Sequence, residues 1–256
     1  GIHFVSGLPR SGSTLLGALL RQNPRFHAGM SSPVGAMYAA LMTTFNARSE
    51  TAVFVDVARR RALLRMLFET YYEEVHPAKL VFDTNRMWCA SLSGLTDLFP
   101  AARVICCVRP LGWIVDSVER LVQRNAFEPS KMFGAEGAGT VYARTESIVG
   151  AGGFVGFAFN ALKEAFFGPF ADRLVLVQYD SLTRRPRDTL AALYETLGEP
   201  EFEHDFDNVR FEEGARFDAP LGMPGLHDVR PRVEPADRRS ILPPDVFQRF
   251  EADSFW

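Results

Sequence analysis

The sequence lacks three features that would each indicate a broad class of protein. No uninterrupted apolar run approaches the roughly 18 residues that a membrane-spanning helix needs, and the N-terminus enters a strand pattern without the shape of a signal peptide. Charge of one sign is not in excess either, because 28 Lys and Arg stand against 31 Asp and Glu, a net charge of −3. No general basic field exists to hold nucleic acid or an anionic membrane, so an anionic ligand must be bound by a local cluster.

Cysteine is scarce, and its positions indicate neither a metal site nor a disulfide framework. The three cysteines are Cys89, Cys106 and Cys107, and the last two lie inside an apolar run. Metal ligands would need a second cluster of Cys or His at a fixed spacing, which the sequence does not have. We therefore expect no metal and predict buried, reduced thiols, as is typical of a cytoplasmic protein.

Apolar strands and helical patterns alternate along the chain. Apolar runs predict strands at 2–5, 80–82, 104–108 and 174–177. Helical patterns lie at 14–21, 33–46, 51–75, 88–98, 154–165 and 189–197, after Pro110, and near the C-terminus. This order predicts an α/β fold with a central parallel sheet flanked by helices, and we interpret residues 1–256 as one domain. Ligands of such sheets bind beyond the carboxyl ends of the strands, so the residues there are the first candidates for a site.

The residues after the first strand have the spacing of a phosphate-binding loop. This first loop, residues 7–14, reads Gly-Leu-Pro-Arg-Ser-Gly-Ser-Thr and leads into a helix. Its glycines let backbone N–H groups approach phosphate oxygens, and the helix N-terminus adds its positive end. The alternative is an ordinary turn in which Ser or Thr caps the helix. The candidate nucleotide-binding residues are Pro9, Arg10, Ser11, Gly12, Ser13 and Thr14.

A second candidate anion site follows the strand at 104–108. Arg109 ends this otherwise apolar strand, and Ser117 lies eight positions further on, among apolar neighbours in a predicted helix. An arginine at the ligand edge of the sheet and a hydroxyl in the next helix can bind one phosphate. A surface arginine and an unrelated helical serine are the alternative interpretation.

The two loops together resemble a known family. FVSGLPRSGSTLL is similar to the 5′-phosphosulfate-binding loop of sulfotransferases that use 3′-phosphoadenosine 5′-phosphosulfate (PAPS), in the form typical of the tyrosylprotein and bacterial branches. RVICCVRPLGWIVDSVERL is similar to their 3′-phosphate-binding segment. The resemblance spans roughly residues 3–240. It implies a P-loop-like nucleotide-binding fold and an enzyme that transfers a sulfuryl group from PAPS to a hydroxyl or amine.

Two weaker matches extend the resemblance towards the C-terminus. LVLVQYDSL resembles the family's strand that ends close to the nucleotide, which implies that Tyr179 binds it. HDVRPRVE resembles the basic C-terminal segment that folds over the nucleotide, and it carries Arg230 and Arg232. A core tyrosine and a solvated charged loop are the alternatives for these two segments.

The sequence offers cations for the leaving group of such a transfer. Charge builds on the departing phosphate, so fixed cations and N–H donors are needed beside it. Arg10 fits this role, and Arg86, which follows the strand at 80–82, is a second candidate at the same sheet edge. An ordinary salt bridge is the alternative for Arg86.

The general base is left open. The glutamate that follows the first helix in the tyrosylprotein branch aligns with Ser31 here. Asp83 is one candidate, although it could instead orient Arg86 or Arg10 through an ion pair. The other candidates are His27 and His227.

Two different functions stay open beside sulfuryl transfer. A P-loop nucleotide kinase would need a phosphate-contacting lysine where Ser13 stands, together with a Mg²⁺ site. A catalytically inactive relative would bind PAPS and act as an interaction module, which only the serine at position 31 favours. The sequence identifies neither the oligomeric state nor the acceptor, which could be a small molecule, a lipid, a sugar or a peptide.

Overall fold

A five-stranded sheet forms the centre of the molecule. A computed structural model describes residues 1–45, 50–77, 79–128, 130–134 and 139–256. The strands in these ranges are β1 (Ile2–Gly7), β2 (Phe26–Ala28), β3 (Leu80–Thr84), β4 (Val104–Val108) and β5 (Leu174–Gln178). They pair in the order β2-β3-β1-β4-β5, and every pairing is parallel. The predicted central parallel sheet is therefore confirmed.

Helices connect the strands and cover both faces of the sheet. The α-helices in the described ranges are α1 (Ser13–Leu20), α2 (Val34–Thr44), α3 (Val57–Tyr71), α4 (Leu92–Leu98), α5 (Leu111–Arg124), α6 (Val141–Val149), α7 (Phe154–Phe167), α8 (Tyr179–Arg184), α9 (Pro186–Leu197), α10 (Gly214–Asp218) and α11 (Pro244–Gln248). Short 3₁₀ helices lie at Glu50–Phe54, Arg86–Ser91, Ala171–Arg173 and Ala219–Leu221. None of the described helices combines the length and the apolar character needed to cross a bilayer.

The strands bury side chains on both faces, which explains their nearly continuous apolar sequences. Successive side chains of a strand point to opposite faces. Phe4 of β1 packs into a cluster with α4, α5 and α7, whereas its neighbour Val5 packs into a second cluster with α1 and α9. In β4, Cys106 and Cys107 divide between the two clusters in the same way. Both thiols are fully buried and form no disulfide, as the sequence predicts.

The structure departs from the predicted elements in several places, and the helices α6, α8 and α10 were not predicted. β2 was not predicted, because a three-residue edge strand is too short for a periodic signal. The helix predicted at 51–75 is broken before α3, where Asp56 caps the new helix by accepting a hydrogen bond from the Arg59 N–H (2.7 Å). The helix predicted at 33–46 corresponds to α2, and its last position lies outside the described residues.

Residues 204–241, which we call the C-terminal segment, lie across the sheet edge with little regular structure. Backbone hydrogen bonds join Val209 to Pro231 (2.7 Å) and Val233 to Phe206 (2.8 Å), so the segment doubles back on itself. Its end is fixed to α5, where the Ile241 N–H donates to the Asp116 carboxylate (2.8 Å). This path brings a remote part of the chain to the carboxyl ends of the strands.

Candidate active site

A cleft of about 940 Å³ lies at the carboxyl ends of the central strands. Its walls come from the first loop, the residues after β3 and β4, the helices α5 and α8, and the C-terminal segment. This is the edge at which parallel α/β sheets bind their ligands. The chain as a whole is slightly acidic, but the cleft is lined by eight basic side chains against two carboxylates, Asp228 and Glu234. The basic residues are Arg10, Arg86, Arg109, Arg124, Lys131, Arg230, Arg232 and Arg238.

The backbone of the first loop can be formed only with glycine at two positions. Gly7 has φ +93°, and a Cβ there would lie 2.4 Å from the Cys107 carbonyl oxygen in β4. Gly12 also has φ +93°, and a Cβ there would lie 3.1 Å from the Tyr179 ring. Gly12 precedes α1, whose first turn has no side-chain cap, so its N–H groups are available to an anion in the cleft.

Arg10 joins the first loop to α5. It has φ +57°, a left-handed conformation that side-chain-bearing residues rarely adopt. Its Nε donates a hydrogen bond to the Ser117 Oγ (3.1 Å). Burial, followed by the positive charge of Arg109, lowers the pKa of Arg10 to about 10, so the guanidinium stays charged at neutral pH. The structure thus brings together two residues that the sequence assigned to separate phosphates.

Arg109 is held against the floor of the cleft. Its side chain is buried, and its guanidinium carbon lies 4.0 Å from the centre of the Tyr179 ring. Its Nη1 donates a long hydrogen bond of 3.4 Å to the Arg10 carbonyl. Burial lowers the pKa of Arg109. Neither Arg10 nor Arg109 forms an ion pair with a carboxylate of the described residues, so an anionic ligand would supply their counter-charge.

Several other sequence candidates line the cleft. Pro9, Ser13 and Thr14 belong to its wall in the first loop, and Tyr179 and Arg230 belong to the opposite side. Arg230 is exposed and lies 3.6 Å from Glu234. Arg86 is exposed to the cleft, its guanidinium carbon is 5.5 Å from the centre of the Phe154 ring, and desolvation by the surrounding protein lowers its pKa.

Two candidates do not reach the cleft. Ser11 is fully buried and its hydroxyl donates to the Pro9 carbonyl (3.3 Å), which leaves only its backbone for a ligand. Asp83 is also fully buried, and its carboxylate accepts hydrogen bonds from the hydroxyls of Ser32 (2.7 Å) and Tyr72 (2.5 Å) and from the Trp88 Nε1 (2.8 Å).

The surroundings of Asp83 argue against a catalytic role. It forms no ion pair with Arg10 or Arg86 in the described part of the chain, and it does not line the cleft. Burial raises its pKa, while the three hydrogen bonds oppose that rise. Because its oxygens already accept three hydrogen bonds and Asp83 does not line the cleft, we do not propose it as the general base.

The two histidine candidates have different surroundings. His27 is exposed on the edge strand β2, where its ring packs against Tyr72, and it does not line the cleft. His227 lines the cleft, and its Nδ1 lies 2.5 Å from the carboxylate of the fully buried Asp218.

Sequence reasoning missed two carboxylates that position residues of the cleft. Asp218 lies nine residues before His227, and no periodic pattern links them. Asp116 is fully buried beside Ser117 and lies 2.7 Å from the Nη2 of Arg238. Asp116 directly precedes the candidate ligand Ser117, but its partner Arg238 lies far along the chain, so no local pattern links the two.

Solved structures of similar fold are sulfotransferases. The sulfotransferase domain from the curacin biosynthetic pathway superposes with a TM-score of 0.54 at 19% identity, covering 79% of this chain and 75% of that one. The sulfotransferase from Alicyclobacillus acidocaldarius superposes with a TM-score of 0.50 at 15% identity, covering 85% and 91%. At these identities the likeness shows the fold alone, and it agrees with the predicted P-loop-like architecture.

Sequence comparison leads to the same family. Human protein-tyrosine sulfotransferase 1 is 29% identical over 112 residues, which is 41% of this chain and 30% of that protein. The chain therefore matches less than a third of the length of that relative. The profile described as "Sulfotransferase family" matches residues 3–204, which include the first loop, Arg109 and Ser117. The match covers most of the chain, and the chain belongs to the sulfotransferase family.

Proposed function

We propose that the protein transfers a sulfuryl group from PAPS to a hydroxyl or an amine. The observation that carries the proposal is the contact between the first loop and the Arg109–Ser117 pair at one sheet edge. An open helix N-terminus and two arginines without carboxylate partners meet there. A ligand with two anionic groups a nucleoside apart fits such a surface better than a ligand with one.

The residues of the cleft fit the parts of the nucleotide. Backbone N–H groups of residues 9–14 would hold the 5′-phosphosulfate, while Arg109 and Ser117 would hold the 3′-phosphate. The close approach of Gly12 to Tyr179 keeps the loop backbone open, since a Cβ at this position would fill that space. Tyr179 and Arg230 line the cleft on the other side and would complete the nucleotide site. When bound, PAPS supplies a sulfuryl group attached to a good leaving group.

Arg10 and Arg86 have the charge that the transfer needs. Arg10 remains protonated despite its burial, and its position at the first loop suits a cation that opposes charge on the departing phosphate. Arg86 adds a second positive charge from the end of β3. Fixed charges in a partly desolvated cleft do not have to reorganise as negative charge develops, which is what makes them effective.

Binding measurements test the proposal directly. We expect adenosine 3′,5′-bisphosphate (PAP) to bind more tightly than AMP, because the second phosphate adds charge-assisted contacts of about 1.5–3 kcal/mol. That range corresponds to a Kd ratio of about 10–150. Calorimetry should find the ratio in the wild type and in Arg61→Ala, which removes an exposed ion pair with Asp97 far from the cleft. In Arg109→Ala the ratio should fall towards one. Equal affinities in the wild type contradict the proposal.

Turnover separates the proposal from its two alternatives. We expect radiolabelled PAPS to transfer its label to one of a panel of phenols, sugars, lipids and peptides, with or without EDTA. ATP turnover that needs Mg²⁺, without PAPS turnover, would instead support the nucleotide kinase. Binding of PAP without any PAPS turnover would support the inactive interaction module.

We further propose that residues 1–256 work as one domain in the cytoplasm. The C-terminal segment lies outside the matched residues 3–204 for almost all of its length, but it lines the same cleft as the first loop. The three cysteines are buried thiols, and Cys89 and Cys106 stay unbonded although their sulfur atoms are 3.4 Å apart. Free cysteines are typical of proteins in a reducing compartment, which supports the cytoplasm.

A further inference from the structure

His227 and Asp218 form a hydrogen-bonded pair at the wall of the cleft. Both carboxylate oxygens of Asp218 are used on the histidine: one lies 2.5 Å from the ring Nδ1, and the other accepts a hydrogen bond from the His227 backbone N–H (2.9 Å). Asp218 is fully buried at the end of α10. The edge-on ring of Phe217, 5.3 Å away, packs against the imidazole. The ring orientation of His227 is therefore fixed from two directions.

This arrangement leaves one ring nitrogen for the cleft. A neutral imidazole that donates its Nδ1 proton to a carboxylate keeps a lone pair on Nε2. In the part of the chain that the structure describes, Nε2 of His227 has no hydrogen-bond partner, and the residue lines the cleft with Arg10 and Arg86.

Burial favours the neutral form of His227, whereas the charges around it act in both directions. Burial lowers its pKa most, the bond to Asp218 opposes that shift, and the positive charges of Arg10 and Arg86 lower the pKa further. The two arginines are those that we assign to the leaving group. His227 and these two arginines line the same cleft.

We infer that His227, oriented by Asp218, is the general base that accepts the proton of the acceptor. The inference rests on the proposed function. As the acceptor oxygen or nitrogen bonds to sulfur, its proton moves to the Nε2 of His227. The bond between sulfur and the 5′-phosphate oxygen breaks, and its electron pair stays on that oxygen, so PAP leaves. His227 is a catalytic residue in this step, and Asp218 is a positioning residue.

Two carboxylates also line the cleft, but both are exposed, and Glu234 lies 3.6 Å from Arg230, whereas His227 is oriented by a buried partner. The other candidates from the sequence have less access. Asp83 is buried away from the cleft, and His27 lies on the edge strand. Ser31, which aligns with the glutamate of the tyrosylprotein branch, lines the cleft but has no basic group. The base function is therefore met from the C-terminal segment, far along the chain from either position.

A spectroscopic test does not depend on the acceptor. With ¹⁵N-labelled histidine, the ring nitrogens of His227 can be assigned by their loss in His227→Gln. We expect His227 to be neutral at pH 7 with its proton on Nδ1, whereas free histidine prefers the proton on Nε2. In Asp218→Asn we expect this tautomer preference to be lost. A His227 that is protonated at pH 7, or that carries its proton on Nε2, overturns the inference.

Kinetics supply the second test. With the acceptor found in the panel, or with water if none is found, His227→Gln should lower kcat by about 10²–10⁴-fold. The Kd for PAP should change less than threefold, because the Gln side chain keeps the nucleotide site intact. Asp218→Asn should give a smaller loss, and added imidazole should partly restore the rate of His227→Gly. The matched control is His27→Gln, a histidine outside the cleft, which should keep the wild-type rate.

The pH dependence of kcat provides a third test. In the wild type, kcat should fall as the pH drops through the lowered pKa of His227, where Nε2 becomes protonated. That limb should be absent in His227→Gln. If His227→Gln keeps both the wild-type kcat and the acid limb, the inference fails while the proposed function stands. If the wild type neither binds PAP nor uses PAPS, the proposed function fails, whatever the tautomer of His227.

Discussion

The first loop and the C-terminal segment line the same cleft but are built in opposite ways. The loop takes its shape from eight consecutive residues, with left-handed backbone at Gly7, Arg10 and Gly12. The segment has little regular structure and is fixed by contacts with distant parts of the chain. One such contact joins Gln22 and Asp205 through two hydrogen bonds of 2.8 and 2.9 Å.

The two regions also present different chemical groups to the cleft. The loop presents backbone N–H groups and a fixed cation, which suit a phosphate. The segment presents His227, and its neighbours are set by tertiary contacts. In our proposal the nucleotide site therefore depends mainly on local sequence, whereas the proton-accepting group depends on contacts between distant parts of the chain. The predictions below test how far the two regions are independent.

The largest effect should come from Asp116, which ties the segment to α5. Its buried carboxylate contacts Arg120 (3.0 Å) and Arg238 (2.7 Å) and accepts the Ile241 N–H. Breaking a buried ion pair typically costs 3–5 kcal/mol. Both arginine side chains are about a quarter exposed, so we expect Asp116→Ala to lower the free energy of unfolding by about 3 kcal/mol in urea titrations.

A matched variant shows whether the position or the charge matters. Asp97→Ala removes an exposed carboxylate that pairs with Arg61, and such pairs contribute about 0.2–1 kcal/mol. In limited proteolysis, Asp116→Ala should be cut within the C-terminal segment faster than the wild type, and Asp97→Ala should not. Equal cleavage rates would mean that other contacts hold the segment.

The next effect concerns the backbone of the first loop. Gly7→Ala must adopt φ near +93° and bring its Cβ against the Cys107 carbonyl, so we expect a loss of about 2 kcal/mol in the free energy of unfolding. Gly198→Ala is the control, because its φ is +69° but no atom lies within 4 Å of the added Cβ. It should lose about 1 kcal/mol. If the two variants lose the same free energy of unfolding, the contact with the Cys107 carbonyl does not constrain the loop backbone.

Much of the fold could be predicted from the sequence because it depends on local patterns. The loop after β1 and the strand before Arg109 are local patterns, so the sequence alone indicated both candidate anion sites. The sheet followed from apolar runs, except for β2, which has only three residues. Asp56 is a residue type that often caps a helix N-terminus, and giving it that role would have started the predicted helix at the correct residue.

The surroundings of Asp83 and His227 depend on contacts that no local pattern contains. Asp83 follows three apolar strand residues, and at a sheet edge it suggested a site, but its hydrogen bonds to Ser32, Tyr72 and Trp88 make it part of a buried polar cluster. The partnership of Asp218 and His227 requires the turn that follows α10, where Gly222 adopts φ +65°. In both cases the decisive neighbours are set by packing and turn geometry.

A smaller effect should separate the two arginines of the nucleotide site. Arg10 lies at the first loop, where charge develops, so Arg10→Ala should lower kcat. Arg109 lies at the 3′-phosphate, where the contact is similar before and during transfer, so Arg109→Ala should chiefly raise KM for PAPS. Because Arg10 also donates to Ser117, its loss should raise KM as well, though less than the loss of Arg109.

Steady-state kinetics of the two variants, with Ser117→Ala as a third, checks this division. Ser117→Ala removes the acceptor of the Arg10 hydrogen bond but keeps both charges. It should therefore raise KM for PAPS by about tenfold or less, which corresponds to about 1.5 kcal/mol. The division is wrong if Arg109→Ala lowers kcat as much as Arg10→Ala and leaves KM for PAPS unchanged.

The smallest effect should be that of Asp83→Asn, which tests whether this buried centre takes part in catalysis. The Asn Oδ1 can accept from Trp88, and the hydroxyls of Ser32 and Tyr72 can turn to accept from the Asn Nδ2. We therefore expect the free energy of unfolding at pH 7 to change by less than about 1 kcal/mol, and kcat by less than about threefold.

The pH dependence of stability gives Asp83 a signature of its own. Burial raises its pKa in the folded protein above the ordinary value of 3.8, so the folded state binds this proton more tightly than the unfolded state. The wild type should gain stability relative to Asp83→Asn as the pH falls from 7 through that raised pKa, and the gain should be complete below the ordinary value. Urea titrations at several pH values measure the difference. If kcat falls as far in Asp83→Asn as in His227→Gln, Asp83 in β3 takes part in catalysis, and the proton-accepting role does not belong to the C-terminal segment alone.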